Sequence, residues 1–308
     1  MTPGERTPHT RRVRWLVTGA GGKLGQDLLA VLRTDPTAEV TGLRRTELDI
    51  TDAAAVREAV AGHDIVVNAA AWTDVDGAEA SEAAATAVNG TGVRHLADAC
   101  GRVGARLLQV STDYVFSGEA RTPYGEDAAT APVNAYGRGK LAGERAVVGL
   151  LPDAGYVVRT SWLYGEHGRD FVTTVLELAE TRDTLDVVDD QHGQPTWSHA
   201  VAERLVLLGG AASAGTAPPG IYHATAGGRT TWMGLARTVF ELAGLDPRRI
   251  RPTTSAAYAR PAPRPAFSVL GHERWAAAGL PPMPHWRTSL EEALRRPAFG
   301  ALTAPGRQ

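Results

Sequence analysis

Residues 13–32, VRWLVTGAGGKLGQDLLAVL, decide the fold. Val13 to Val17 form a short apolar run of strand character, and Gly19, Gly22 and Gly25 follow in the spacing G-x-x-G-x-x-G. Leu24, Leu28, Leu29 and Leu32 then recur at helical spacing. The stretch reads as a strand, a tight turn and a helix. Side chains resist the φ angles such a turn needs, and glycine does not. An open backbone at a helix N-terminus also lets a pyrophosphate approach free N–H groups and the positive end of the helix dipole. An ordinary tight turn is the bland alternative. The position after the chain's first strand favours dinucleotide binding, with Gly19, Gly22, Lys23, Leu24 and Gly25 as contacts.

The rhythm continues outward. EVTGL (39–43), DIVVNAA (64–70), ARLLQVS (105–111) and GYVVRTS (155–161) read as further strands, with helical patterns between them. A long helix is expected from about Ala78 to Gly101, weakened by Gly90-Thr91-Gly92. Strands alternating with helices predict an α/β fold, a Rossmann-like doubly wound parallel sheet. After Ser161 the pattern turns irregular, and residues 251–265 are rich in proline. The expected organisation is a disordered lead over 1–12, a nucleotide-binding lobe over 13–161 and a smaller α/β substrate lobe over 162–308. That division leaves room for segments that return to the first lobe.

Composition excludes several classes. A formal charge of -2, with no basic tract beyond TRRVR, gives no reason to expect nucleic acid. No window reaches 18 apolar residues, so no spanning helix is expected. MTPGERTPHT lacks the apolar region of a signal peptide, and a cytoplasmic protein is the expectation. The one cysteine, Cys100, rules out an internal disulfide and reads as a small buried apolar residue.

GLRRTELD (42–49) lacks, at the end of the second strand, the acid that usually holds a ribose hydroxyl. It offers Arg44 and Arg45 instead. Two cations suit a 2′-phosphate, so NADPH is the expected cofactor, with NADH as the alternative. Asp49 and Ile50 would frame the adenine. Asn68, Ala69 and Ala70, ending the third strand, would let the cofactor lie close.

Tyr136 and Lys140 are four apart and share one helix face. An ammonium beside a phenol is expected to lower its pKa. Thr112 emerges at the end of the fourth strand, where this architecture places active residues. The trio fits carbonyl reduction, in which Thr112 holds a substrate oxygen, Tyr136 gives a proton to the forming alkoxide and Lys140 supports the phenol and the nicotinamide ribose.

TGAGGKLGQDL, VVNAAAWTDVDGAE, STDYVFSG, PVNAYGRGKLAGE, VRTSWLYG, VVDDQHGQPTW and RPAFSVL, in this order, resemble the dTDP-4-dehydrorhamnose reductase family of extended short-chain dehydrogenases. The resemblance spans about residues 13–295. It implies reduction of the C4 ketone of a dTDP-linked 4-keto-6-deoxyhexose, most simply dTDP-4-dehydro-L-rhamnose. It also implies substrate contacts at Val75, Asp76, Thr112, Asp113, Tyr114 and Trp162, with Arg264 on the diphosphate.

Three departures from the family pattern stand out. Asp170 replaces the usual Asn in GRDFV, placing a carboxylate where it would repel a diphosphate unless it turns away. Ala259 follows Tyr258 in place of proline. Some bacterial members pair through a magnesium site built from glutamates, but Ser198 stands near where one such acid is sought, and Glu291 and Glu292 read as surface residues. No required metal is expected, and a homodimer is left open. Two alternatives remain: a sister dTDP-4-keto-6-deoxyhexose reductase of antibiotic sugars, including the dihydrostreptose type, and a non-catalytic regulatory subunit like that of methionine adenosyltransferase. The complete trio argues against the last.

Overall fold

The computed structural model describes residues 12–299. The lead expected over residues 1–12 lies, save for its last residue, outside the described residues. The first half of the chain runs β1 (Val13–Thr18), α1 (Lys23–Arg33), β2 (Ala38–Leu43), α2 (Ala53–Val60), β3 (Ile65–Asn68), α3 (Val75–Ala80), α4 (Glu82–Thr86), a π-helical segment (Ala87–Gly92), α5 (Val93–Val103), β4 (Arg106–Thr112), α6 (Ala135–Leu150) and β5 (Gly155–Thr160). The second half adds β6 (Leu163–Tyr164), α7 (Phe171–Ala179), β7 (Leu185–Val188), β8 (His192–Gly193), β9 (Thr196–Trp197), α8 (Ser198–Ser213), β10 (Gly220–His223), β11 (Thr230–Thr231), α9 (Trp232–Leu242), β12 (Ile250–Thr253), α10 (Glu273–Ala277) and α11 (Trp286–Leu294).

Six of these strands build one sheet in the order β10-β5-β4-β3-β1-β2, every pair parallel. Strands buried on both faces must be apolar throughout, and IVVN of β3 is buried at all four positions. The chain steps from β1 to β2 on one side and then to β3 on the other. That reversal opens a crevice at the carboxyl ends of β1 and β3, where doubly wound sheets take their ligands. The face bearing α1 and α8 packs Trp15, Leu28, Leu32, Leu205 and Leu208 into one apolar core. The face bearing α2 and α5 packs Leu16, Val56, Leu96 and Cys100, all fully buried. The second half of the chain is not a detached lobe: α8 covers the first sheet and β10 extends it beyond β5.

The long helix expected over 78–101 is broken. Ser81 interrupts it at φ -138°, and residues 87–92 relax into the π segment. Within that segment the Asn89 side chain pairs with the Trp72 backbone. Its Oδ1 accepts from the Trp72 N–H at 2.9 Å, and its Nδ2 donates to the Trp72 carbonyl at 3.0 Å. The π segment then packs closely on α6, the helix that carries Tyr136. Among the described residues no helix is long and apolar enough to cross a membrane.

Candidate active site

At the sheet's carboxyl edge lies a cleft of about 1080 Å³. Gly19, Gly22, Lys23, Leu24 and Gly25 line it at one end, Arg44, Arg45, Asp49 and Ile50 beside them, then Ala69, Ala70 and Val75. Thr112, Asp113, Tyr114, Tyr136, Lys140 and Trp162 line the rest. Most of the residues singled out in sequence therefore converge on one space.

The glycine turn is fitted to a close backbone approach. Gly19 has φ +68°, and a Cβ there would lie 2.5 Å from the Ala70 nitrogen. Gly22 caps α1 with no side-chain hydrogen bond and no acid in the first turn, so the helix start is open to an anion. Arg44 and Arg45 are exposed and form no ion pair with another described residue. Three buried polar atoms beside the cleft also lack a partner: Asp113 Oδ2, Thr160 Oγ1 and the Tyr164 hydroxyl. Orphaned polar atoms in a folded interior call for a ligand or water. These features fit a phosphate-bearing dinucleotide running from the α1 terminus towards the trio.

Lys23 behaves differently from the expectation. Its ammonium is turned to segment 165–170, donating to the carbonyls of Gly165, His167 and Gly168 at 3.2, 2.5 and 3.2 Å. It also meets Asp170 Oδ2 at 2.8 Å. Asp170 caps α7, its Oδ1 accepting from the Thr173 N–H while Thr173 Oγ1 accepts from the Asp170 N–H, each at 3.0 Å. Asp170 lines the cleft, but its carboxylate is engaged by a cation and a helix start, which offset the negative charge raised by its sequence position.

Asn68 is a correction. It is fully buried and does not line the cleft. Its Oδ1 accepts from Thr18 Oγ1 and the Ala70 N–H, and its Nδ2 donates to Gln109 at 2.7 Å. It ties β1, β3 and β4 together and shapes the Ala69-Ala70 turn. Asp76 and Arg264 also fall outside the cleft lining. They hold each other, Arg264 Nη1 to Oδ1 at 2.5 Å and Nη2 to Oδ2 at 3.0 Å, while Asp76 also accepts from the Ala262 N–H. The Arg264 fork is engaged by a carboxylate rather than free for a diphosphate. This pair fastens the proline-rich loop to α3.

Thr112, Tyr136 and Lys140, the trio expected to react, are carried by two elements, β4 and α6. Thr112 ends β4, donates to Asp113 Oδ1 at 3.0 Å and accepts from the Tyr114 N–H at 3.2 Å. Tyr136 stands in the first turn of α6, its ring edge-on to Tyr114 at 6.0 Å between centroids. Asn134 caps that helix through the Gly137 N–H and donates to the Pro263 carbonyl, joining the helix start to the proline-rich loop. Lys140 is buried, with its ammonium on the Val110 carbonyl at 2.6 Å.

Burial corrects the electrostatic expectation. Desolvation, with Asp113 adding to it, pushes the Tyr136 phenol up to about 12 rather than down. Desolvation lowers Lys140 to about 8, opposed by Glu144 one turn on. Lys140 donates to the Val110 carbonyl, and burial outweighs any neighbouring charge in setting the direction of the phenol's shift. Behind both lies a charged brace that sequence reading missed. Arg159 grips Glu144 at 2.7 and 2.9 Å, and Ser111 donates to Glu144 at 2.5 Å, all buried. It locks α6 to β4 and β5. Breaking such a pair on one side costs about 3–5 kcal/mol. Burial and Arg159 together depress His223, on β10, to about 3, so it stays neutral against the guanidinium.

Trp162 has φ +47°, the left-handed region that a bulky side chain occupies only under constraint, at about 1–3 kcal/mol. Trp232 and Phe171 also line the cleft, neither assigned a role from sequence, because the contacts of Trp232 with Trp162 and with Phe171 are long-range and leave no local signal.

A model described as the RmlD substrate binding domain matches residues 13–298. The chain belongs to the dTDP-4-dehydrorhamnose reductase family. It is 60% identical to a dTDP-4-dehydrorhamnose reductase of Streptomyces griseus, over 92% of this chain and 93% of that protein. It is 50% identical to a dTDP-4-keto-6-deoxy-D-glucose reductase of Streptomyces niveus, over 91% and 96%. A crystal structure of the Bacillus anthracis dTDP-4-dehydrorhamnose reductase in complex with NADP superimposes with a TM-score of 0.87 at 34% identity, covering 92% of this chain and 99% of that one. Family membership accounts for the order of the motifs. Among the described residues there is no group of histidine, cysteine or acidic side chains able to hold a metal ion.

Proposed function

We propose that this protein reduces the C4 ketone of a dTDP-4-dehydro-6-deoxy-L-hexose with NADPH, and that dTDP-4-dehydro-L-rhamnose, giving dTDP-L-rhamnose, is the substrate. The observation that carries this reading is the convergence of the open glycine turn, two exposed arginines, Thr112, Tyr136 and Lys140 on one cleft. The coenzyme, when bound, supplies the hydride that adds to C4. Gly19, Gly22 and the α1 terminus would receive its pyrophosphate, and Arg44 and Arg45 a 2′-phosphate.

The remaining work belongs to the chain. Thr112 donates a hydrogen bond to the C4 oxygen and fixes it beside the phenol. Tyr136 gives that oxygen its proton as negative charge develops, converting ketone to alcohol. A phenol near 12 is a poor acid at neutral pH. Its proton moves because the alkoxide formed at C4 is a still stronger base. Lys140 supplies the positive charge that stabilises the resulting phenolate once ligand fills the cleft.

The test is to supply dTDP-4-dehydro-L-rhamnose with NADPH, follow coenzyme oxidation and identify the sugar by NMR. No oxidation rejects the reading. A second reading, a sister reductase acting on another dTDP-4-keto-6-deoxy sugar, is favoured by the 50% identity to the Streptomyces niveus protein. It predicts turnover of that other substrate in preference to the rhamnose precursor.

A further inference from the structure

The indoles of Trp162 and Trp232 lie stacked, 3.6 Å between centroids and 7° from parallel. Phe171 meets Trp232 at 4.6 Å and 53°. All three line the cleft. Trp162 lies two residues beyond Thr160, whose register partner across the sheet is Thr112, so the aromatic wall stands on the side of the reacting trio. Its far face is shut: a Cβ on Gly193 would lie 2.4 Å from Trp162 Cε2, so only glycine fits beneath the ring.

Trp232 is itself anchored. It begins α9, and its Nε1 donates to Gln191 Oε1 at 3.1 Å. Gln191 Nε2 donates to Ser255 Oγ at 2.8 Å, and Ser255 binds Asp190 through both its N–H and its hydroxyl. Nothing in this chain of contacts reaches the coenzyme end of the cleft.

A pyranose has hydroxyls at its rim and C–H groups on its faces, and a 6-deoxy sugar adds a methyl. A flat, rigid, apolar surface matches that face and loses little conformational freedom on binding. We propose that Trp232 is a specificity-determining residue for the sugar end of the cleft. It holds Trp162, covered by Trp232 on one face and by Gly193 on the other, in its left-handed conformation, and beside the tilted Phe171 it itself supplies the apolar surface against which the C–H face and C6 methyl of a 6-deoxyhexose pack. This rests on the reductase reading above.

The test compares wild type, Trp232→Ala and Trp232→Phe by calorimetric binding of dTDP-L-rhamnose, of dTDP without sugar, and of NADPH. Turnover of the dTDP-4-keto sugar is measured alongside. Trp232→Ala is expected to weaken dTDP-L-rhamnose about tenfold while leaving dTDP and NADPH within about twofold, with Trp232→Phe recovering most of the loss. Stacked indoles also give an exciton couplet in far-ultraviolet circular dichroism. It should be present in wild type, respond to dTDP-L-rhamnose but not to dTDP, and vanish in both variants. An unchanged ratio of sugar nucleotide to dTDP affinity in either folded variant overturns the inference, as does equal weakening of dTDP. Wild-type protein that reduces no dTDP-4-keto-6-deoxyhexose overturns the reductase reading and this inference together. Turnover in wild type with an unchanged ratio in the variants overturns this inference alone.

Discussion

Lys23 and Asp170, 147 positions apart, meet at 2.8 Å and join the start of α1 to the start of α7. Their side chains are 16% and 5% exposed, so water and salt screen the pair weakly. One carboxylate caps a helix with one oxygen and binds the ammonium with the other.

Replacing Asp170 by Ala removes both roles and is expected to cost roughly 2–4 kcal/mol in urea unfolding. Asp170→Asn keeps the cap and should lose less. Equal midpoints for wild type and both variants would show the carboxylate to be idle.

Tyr136→Phe is expected to cut kcat for the dTDP-4-keto sugar by about 10²–10⁴ while NADPH binding stays near wild type, because only the proton donor is lost. Wild-type turnover in that variant would remove Tyr136 from the chemistry.

The pH profile of kcat/KM reports the free enzyme. Burial lowers Lys140 to about 8, with Glu144 opposing. The ammonium is the form that stabilises the phenolate, so kcat/KM should decline as pH rises through about 8. Glu144→Gln removes the opposing charge, and the decline should then begin at lower pH. A flat profile up to about pH 10 would contradict this assignment.

Asp113 is a buried carboxyl with one unpartnered oxygen, and desolvation raises it to about 7 from an ordinary 3.8. Between those values the folded state holds a proton that the unfolded state releases. The stabilisation is therefore full below about 4 and is lost as pH rises through about 7. Unfolding measured at about pH 5 and about pH 8 should show a fall in wild type that is reduced in Asp113→Asn. Parallel behaviour of the two proteins would place the carboxyl's titration elsewhere.

Arg44 and Arg45 are tested by kcat/KM for NADPH against NADH. The double Ala variant should lose about 10–100-fold with NADPH and change little with NADH. An equal loss with both coenzymes would leave the arginines without a role in phosphate recognition.

The period of the apolar residues and the glycine turn made the sheet legible, because strands covered on both faces and the turn after β1 impose local demands on the chain. That Thr112, Tyr136 and Lys140 would share one cleft was legible for the same reason: strand end and helix face are local coordinates. What escaped was long-range. The Asn89 side chain pairs with the Trp72 backbone, 17 positions away. Arg264 turns to Asp76 across 188 positions. Trp232 rests on Trp162, and no spacing rule ties them. The phenol's rise to about 12 depends on burial and on Asp113, neither of which i and i+4 spacing conveys.

Strand β10 completes the sheet at β5 but is encoded only at residues 220–223. During synthesis, then, β5 waits with a bare hydrogen-bonding edge while some sixty further residues, α8 among them, leave the ribosome. A nascent chain paused in that interval displays an open template for another strand, and a product ending before Gly220 keeps it permanently. Premature termination in this stretch should therefore yield aggregates rather than a shortened coenzyme-binding fragment.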